Sequence, residues 1–177
     1  QEKDILFIVD EVQTGVGRTG TFYSYQQFGI QPDLVSSAKG LGGGLPIGAV
    51  LFGEKTQDTL IPGDHGSTFG GNPVVCAGAV EVLNRMDDTF LQNVTAKGRH
   101  MREEIEKMPH VTSVAGMGMM LGIELDIDVK PVVTALMENG LLVLTAKHKM
   151  RLLPPLNIAQ TELEKGLSIL KNTLAAL

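Results

Sequence analysis

The sequence predicts an α/β protein built from two lobes, and three features of the 177-residue chain lead to that prediction. The segment "DILFIVDE", residues 4–11, is a continuous apolar run ending in two acids, which is typical of a strand buried on both faces of a parallel sheet. A long helical pattern begins near residue 72. Beyond Pro109, short strands alternate with helices. We therefore expect part of a mostly parallel sheet, followed by a smaller α+β region.

The first lobe is predicted to contain two more strands, in "PDLVSSAK" and "IGAVLFG", joined by a glycine-rich loop. The segment "GGNPVVCAGAVEVLNRM" predicts a helix with Asn72 as its cap and Pro73 at its first position, and its small residues favour close packing on the sheet. A domain seldom opens with a central strand three residues from its terminus. We therefore expect that an N-terminal portion of this domain lies outside the chain.

The second lobe is predicted to begin within the next helix. We place the boundary between residues 86 and 95, and divide the chain into residues 1–90 and 91–177. The predicted elements are a helix from Thr89 to Lys107, strands in "VTSVAG" and "MMLGIEL", a helix in "PVVTALMENG" closed by Gly140, strands in "LLVLT" and "MRLLPP", and a helix from Glu162 to about Ala175.

Composition excludes several classes of function. The net charge is −5, and no basic cluster exceeds the short turn at residues 147–149, so a nucleic-acid interface is not indicated. No apolar run reaches the length of a membrane span. The single cysteine, Cys76, cannot form an internal disulfide, which favours a reducing compartment and hence the cytoplasm. The four histidines lack the spacing of metal ligands, so no metal site is predicted.

Two charged residues, Asp10 and Lys39, suggest a specific chemistry. Each follows an apolar strand, and the carboxyl ends of neighbouring parallel strands open into the crevice where α/β sheets bind ligands. Pyridoxal phosphate needs a carboxylate to keep its pyridine nitrogen protonated and an amine to hold its aldehyde. The pair therefore predicts a pyridoxal-phosphate site.

Two other motifs are weaker. "GVGRTG", residues 15–20, satisfies the dinucleotide-binding pattern, but an aromatic segment follows it where that pattern requires a helix. "LFIVDE", residues 6–11, is similar to the magnesium-binding strand of P-loop ATPases, whose phosphate-binding motif the sequence lacks.

Four segments in order resemble one family across nearly the whole chain: "FIVDEVQTGVGRTGTF", "PDLVSSAKGLGGGLPIGAV", "HGSTFGGNPVVCAGAVEVL" and "RLLPPLN". They resemble the class III, fold type I, pyridoxal-phosphate aminotransferases, and most closely those that act on N-acetylornithine. The resemblance implies the later part of the large coenzyme domain, followed by the small C-terminal domain. It also implies a homodimer with shared active sites and a role in arginine biosynthesis.

The resemblance assigns roles in the coenzyme site residue by residue. Asp10 is similar to the acid that pairs with the pyridinium nitrogen, and Val12 to the apolar side chain on one face of the ring. Gln13 resembles the donor to the phenolic oxygen. Lys39 resembles the Schiff-base lysine, whose freed amine shuttles protons during transfer. Small neighbours in the glycine-rich loop leave room for that movement.

Three further residues match the family's binding positions. Ser67 and Thr68 lie in the segment that reaches the partner subunit's coenzyme phosphate, with Thr68 the more strongly indicated of the two. Arg151 matches the arginine that takes the substrate α-carboxylate through two parallel hydrogen bonds. Ala115 stands where relatives often carry arginine, which puts a second carboxylate contact from that turn in doubt.

The implied reaction moves the amino group of N-acetylornithine, or a related ω-amino substrate, to 2-oxoglutarate, giving glutamate. Ornithine, succinylornithine and 4-aminobutyrate stay open as amino donors, because the discriminating residues are expected upstream. Two other classes also stay open. One is a non-catalytic fragment or dimerisation module, and the other is a P-loop-type ATPase fragment.

Overall fold

The structure is a computed structural model that describes residues 3–177. The chain separates into two compact units, unit 1 (Gln1–Leu91) and unit 2 (Gln92–Leu177). Within residues 3–177, no helix combines the length and the apolar character that a membrane span requires.

Unit 1 is organised around a three-stranded sheet in the order β1-β2-β3. Strand β1 runs parallel to β2, and β2 runs antiparallel to β3. The strands are β1 (Ile8–Asp10), β2 (Leu34–Ser37) and β3 (Ala49–Phe52), and two short 3-10 helices occupy Ser24–Phe28 and Lys39–Gly42. The two strands predicted on either side of the glycine-rich loop are thereby confirmed.

Helix α1 (Pro73–Asn84) begins as the sequence predicts. The side chain of Asn72 accepts hydrogen bonds from the backbone N–H groups of Val74 and Val75, and Pro73 takes the first helical position, where no N–H is needed. The helix packs on the Lys39–Gly42 turn. The shared core consists of Val16, Leu41 and Ala79, with Ile47, Val82 and Met86 packed against it.

The prediction that β1 is buried on both faces is wrong for this chain. Ile8 is 61% exposed and Val50 of β3 is 56% exposed. The reason is that α1 packs on the 3-10 turn after β2, and no described helix of unit 1 makes comparable contact with the faces of β1 and β3. The apolar sequence of β1 nevertheless matches a strand that other elements cover.

Unit 2 contains a four-stranded sheet in the order β4-β5-β7-β6, in which all neighbouring strands are antiparallel. Three helices accompany the sheet, and α2 starts just before the division between the units. The elements are α2 (Asp88–Ile105), β4 (Val111–Met117), β5 (Met120–Leu125), α3 (Val129–Glu138), β6 (Leu144–Ala146), β7 (Lys149–Leu152) and α4 (Gln160–Ala175). Each predicted helix and strand of the second lobe is present.

The core of unit 2 draws on α2, the central strands and the last two helices. Its fully buried members include Met101, Ile123, Leu136, Met150 and Leu170. Helix α2 also approaches the turn between β4 and β5 very closely. A Cβ atom added to Gly98 would lie 2.3 Å from the carbonyl oxygen of Gly118, so only glycine allows this backbone contact.

Candidate active site

Asp10 is the last residue of β1 and is paired in register with Ser36 of the neighbouring parallel strand. Its side chain is exposed at the carboxyl end of the sheet. Oδ1 accepts two hydrogen bonds, from the Val12 backbone N–H at 2.9 Å and from the Ser36 hydroxyl at 3.1 Å. No described residue donates to Oδ2. The carboxylate is therefore held by one oxygen and free at the other.

Lys39 follows β2 and opens the 3-10 helix that ends at Gly42. Its backbone has φ +49°, in the left-handed region that non-glycine residues seldom occupy. Leu41, two residues further on, is buried in the core of unit 1. The side chain of Lys39 is exposed, and its amine has no hydrogen bond or ion pair among the described residues. The turn is thus held in place by the buried Leu41, while the amine of Lys39 stays available for a ligand.

Asp10 and Lys39 lie at the same edge of the sheet, as the sequence predicts. Because β1 and β2 are parallel and Asp10 pairs with Ser36, Lys39 stands three residues beyond the partner of Asp10. Neighbouring strands are about 4.8 Å apart, so the two functional groups rise from adjacent strand ends. This edge is where open α/β sheets bind ligands.

Val12 and Gln13 occupy the turn directly after Asp10. Val12 is half-buried, whereas Gln13 is exposed and makes no hydrogen bond among residues 3–177. Both roles that the resemblance assigns, packing on a ring and donating to an oxygen, stay predictions. The backbone of Val12 has a further role that the sequence did not indicate, since its N–H fixes Asp10.

Glu11 is the residue that sequence reasoning missed. Its side chain is completely buried. Oε2 accepts from the Thr14 hydroxyl at 2.5 Å, and Oε1 accepts from the Ser24 hydroxyl at 2.5 Å and the Tyr25 backbone N–H at 2.9 Å. The Glu11 backbone N–H also donates to the carbonyl of Ser36 at 2.9 Å. One residue therefore ties the loop that follows β1 to the strand ends.

That loop contains "GVGRTG", which proves to be a series of turns and does not open an α-helix. Gly17 and Gly20 have φ of +83° and +99°. A Cβ atom at Gly15 would lie 2.7 Å from the carbonyl oxygen of Glu11, so the turn needs glycine there. Burial lowers the pKa of the Arg18 guanidinium. The geometry gives no support to a dinucleotide site at this loop.

Ser67 and Thr68 lie in the exposed segment between β3 and α1. The hydroxyl of Ser67 accepts a hydrogen bond from the Gly70 backbone N–H at 3.0 Å, and Thr68 has no hydrogen-bond partner among the described residues. Phe69, the next residue, is 84% exposed. The segment therefore presents hydroxyl and aromatic groups to its surroundings.

Arg151 lies in β7 of unit 2, in register with Gly122 and Leu144 of the two neighbouring strands. Its Nε is buried and has no hydrogen-bond partner among residues 3–177, and no described carboxylate forms an ion pair with its guanidinium. The side chain lines a cavity of about 300 Å³. The lining is mostly leucine and proline, with one acid, Glu162. An unpaired, half-buried guanidinium in such a cavity is suited to a ligand carboxylate.

The residues of unit 1 fit pyridoxal phosphate on three observations. The amine of Lys39 is free, Oδ2 of Asp10 is free, and the two rise from adjacent strand ends. A carboxylate beside the pyridine nitrogen and an amine beside the aldehyde are the two groups that this coenzyme requires.

Comparison with known proteins decides the family. The model of the family "Aminotransferase class-III" matches residues 1–174 of the chain. The chain belongs to the class III aminotransferases. Members of this family use pyridoxal phosphate, and a structure of the ornithine aminotransferase from Toxoplasma gondii describes partial occupancy of PLP at its active site.

Curated relatives of this class III aminotransferase chain are named acetylornithine aminotransferase. The chain is 52% identical over 177 residues to the acetylornithine aminotransferase of Haemophilus ducreyi, and the match covers 99% of the chain and 45% of that relative. The acetylornithine aminotransferase of Aquifex aeolicus is 44% identical over 175 residues, and the match covers 98% of the chain and 46% of that relative. The chain thus spans about half the length of the curated relatives it matches.

Solved structures confirm the fold of the class III chain. The ornithine aminotransferase from T. gondii ME49 superposes with a TM-score of 0.92 at 35% identity, covering 99% of the chain and 44% of that structure. The acetylornithine aminotransferase from Elizabethkingia anophelis superposes with a TM-score of 0.90 at 36% identity, covering 99% of the chain and 47% of that structure. The prediction of part of a fold type I aminotransferase is therefore confirmed.

Proposed function

We propose that the protein containing this chain is a pyridoxal-phosphate aminotransferase that moves the amino group of N-acetylornithine to 2-oxoglutarate, giving glutamate, in arginine biosynthesis. The observation that carries the proposal is the pair of free groups, the Lys39 amine and Asp10 Oδ2, at adjacent strand ends. Relatives named acetylornithine aminotransferase, 42–52% identical, support this donor. With only one cysteine, Cys76, a reducing cytoplasm is the proposed location.

Lys39 is proposed to hold the coenzyme and to move the proton. Its amine would hold the aldehyde of the coenzyme until the substrate amino group displaces it. The freed amine would then carry a proton from the carbon that bears the transferred amino group to C4′ of the coenzyme. The glycines that follow Lys39 have no side chains that could crowd its amine.

Asp10 is proposed to hold a proton at the pyridine nitrogen of the coenzyme. When bound, the protonated coenzyme would supply a sink for the electrons left at the substrate carbon that loses its proton. Asp10 can do this because its carboxylate is fixed through Oδ1 and keeps Oδ2 free. Val12 is proposed to pack on one face of the ring, and Gln13 to donate to the phenolic oxygen.

Arg151 is proposed to bind the α-carboxylate of the amino acid and of 2-oxoglutarate. Two parallel hydrogen bonds from a planar guanidinium would hold the carboxylate, and with it the substrate, in a single orientation. The missing partner at Nε and the apolar cavity beside it support this role. The bound carboxylate would satisfy a group that is otherwise buried without a partner.

Ornithine is the second candidate donor. Ornithine aminotransferases are among the similar solved structures, with TM-scores from 0.85 to 0.92 and 33–35% identity. Turnover with N-acetylornithine, succinylornithine, ornithine and 4-aminobutyrate, measured on one preparation with 2-oxoglutarate as acceptor, distinguishes these donors. A higher kcat/KM for succinylornithine, ornithine or 4-aminobutyrate than for N-acetylornithine would overturn the proposed donor.

A homodimer with shared active sites is also proposed. Ser67 and Thr68 lie in an exposed segment, and Thr68 uses its hydroxyl for no contact within residues 3–177. Hydroxyls and backbone N–H groups are suitable phosphate ligands. In the proposed arrangement this segment of each subunit binds the coenzyme phosphate of the other.

Replacing Lys39 by alanine tests the proposed function. In the protein that contains this chain, Lys39→Ala is expected to lower amino transfer by at least about 10³-fold, because the proton carrier is lost. Borohydride reduction followed by intact-mass measurement should show covalent coenzyme on the wild type and none on the variant. Lys55→Ala is the matched control, since Lys55 is an exposed lysine of unit 1 that forms an ion pair with Asp4. Near-wild-type turnover by Lys39→Ala would show that another group does this chemistry.

A further inference from the structure

Ser36 is the side chain that holds the proposed coenzyme acid in place. It lies directly opposite Asp10 in the parallel pair formed by β1 and β2. Its hydroxyl donates to Asp10 Oδ1 at 3.1 Å. The Val12 backbone N–H donates to the same oxygen at 2.9 Å. A carboxylate that receives both donors on one oxygen has a restricted rotation and keeps its other oxygen for a ligand.

The two donors differ in whether they depend on the identity of a side chain. The Val12 N–H belongs to the backbone turn after β1, so any residue at position 12 other than proline supplies it. The second donor exists only because position 36 carries a hydroxyl group. Side chains alternate along a strand, so Ser36 lies on the Asp10 side of β2 while Ser37 points to the other face. A substitution at position 36 can therefore remove a hydrogen bond to Asp10, whereas a substitution at position 12 other than proline cannot.

Ser37 provides an internal contrast. It is 2% exposed, and its hydroxyl has no hydrogen-bond partner in the part of the chain that the structure describes. The two serines are adjacent in sequence, belong to the same strand and have identical side chains. They differ in whether the hydroxyl bonds to Asp10, so Ser37 controls for the loss of a hydroxyl from β2.

We infer that Ser36 is a positioning residue for the transamination chemistry: its hydroxyl orients Asp10 so that Oδ2 is available to the pyridine nitrogen of the coenzyme. The inference rests on the proposed function. It adds a residue that does not touch coenzyme or substrate and acts only through Asp10.

The experiment compares two replacements of Ser36 that have the same shape. Ser36→Thr keeps a hydroxyl and Ser36→Val lacks it, and both are β-branched residues that strands accommodate. Coenzyme affinity is measured by titrating the coenzyme-free protein with pyridoxal phosphate. Transamination is measured as separate kcat and KM values, and thermal unfolding of the coenzyme-free protein reports on the fold.

Ser36→Val is expected to bind the coenzyme roughly tenfold more weakly and to lose roughly tenfold in kcat, with the KM for the amino donor unchanged. One hydrogen bond to a charged group accounts for an effect of this size, while Val12 still supplies the other. Ser36→Thr should stay within about twofold of wild type. Ser37→Ala should leave coenzyme affinity and kcat unchanged, because the Ser37 hydroxyl has no hydrogen-bond partner among the described residues.

Equal coenzyme affinity and kcat for Ser36→Thr and Ser36→Val would overturn the inference, as would a loss in Ser37→Ala equal to that in Ser36→Val. If Ser36→Val unfolds, Ser36→Ala replaces it in the same comparison with Ser37→Ala. The wild-type measurement separates this inference from the proposed function. A wild type that neither binds pyridoxal phosphate nor transfers amino groups refutes the function, whereas a working wild type with indifferent Ser36 variants refutes only the role of Ser36.

Discussion

Removing the buried carboxylate of Glu11 should loosen the loop that carries Val12 and Gln13. Glu11→Ala leaves three donors without an acceptor, namely the hydroxyls of Thr14 and Ser24 and the backbone N–H of Tyr25. Hydrogen bonds to a charged group contribute about 1.5–3 kcal/mol each, which gives an upper limit of roughly 4.5–9 kcal/mol. Relief from burying the charge offsets part of that sum. We expect a loss of about 3 kcal/mol in local stability.

Glu11→Gln should cost much less, about 1 kcal/mol. The amide oxygen can keep the two donors at Oε1, and the Thr14 hydroxyl can rotate to accept from the amide nitrogen. The comparison therefore separates loss of the network from loss of the charge.

Hydrogen exchange measured on peptides covering residues 23–29 gives the local opening free energy without assuming two-state unfolding of the whole protein. Glu11→Ala should exchange roughly a hundredfold faster there, and Glu11→Gln about fivefold faster. Glu54→Ala is the control, since Glu54 is an exposed acid of unit 1. Exchange in Glu11→Ala no faster than in Glu54→Ala would refute the view that this carboxylate holds the loop.

Two further predictions concern packing and assembly. Gly98→Ala should destabilise the protein by roughly 1–3 kcal/mol in denaturant unfolding, because its Cβ would meet the backbone of Gly118 at 2.3 Å. Gly166→Ala in α4 meets only a leucine side chain at 3.6 Å and should stabilise by up to about 1 kcal/mol, so equal signs would contradict the packing argument. Mixing Lys39→Ala subunits with Thr68→Tyr subunits should restore about a quarter of the active sites if sites are shared across a dimer. No recovery, with heterodimers shown to have formed, would place Thr68 outside the partner's site.

Local signals in the sequence were sufficient for the secondary structure. The cap at Asn72, the proline after it and the apolar periodicity of α2 each act within a few residues, so the helices were predicted with bounds close to those observed. The placement of Asp10 and Lys39 also followed from local order, since each comes directly after a strand. The parallel pairing of those strands then brings the two residues to the same edge.

Burial could not be predicted in the same way. The apolar sequence of β1 indicated a strand covered on both faces, yet Ile8 is 61% exposed. An apolar side chain indicates a preference for burial. Its actual burial depends on which other elements pack against it. The chain spans about half the length of the curated relatives it matches.

The sequence by itself determined the order of the elements and the family, and it predicted which residues bear chemistry, because motifs and periodicity are encoded over short distances. Only the tertiary structure decided what holds those residues in place. Glu11 meets Ser24 and Tyr25 across 13 and 14 residues, and Ser36 meets Asp10 across 26. A hydroxyl or a buried acid has no periodicity that predicts such a partner. The contact exists because strand pairing and a folded loop bring distant segments within hydrogen-bonding distance.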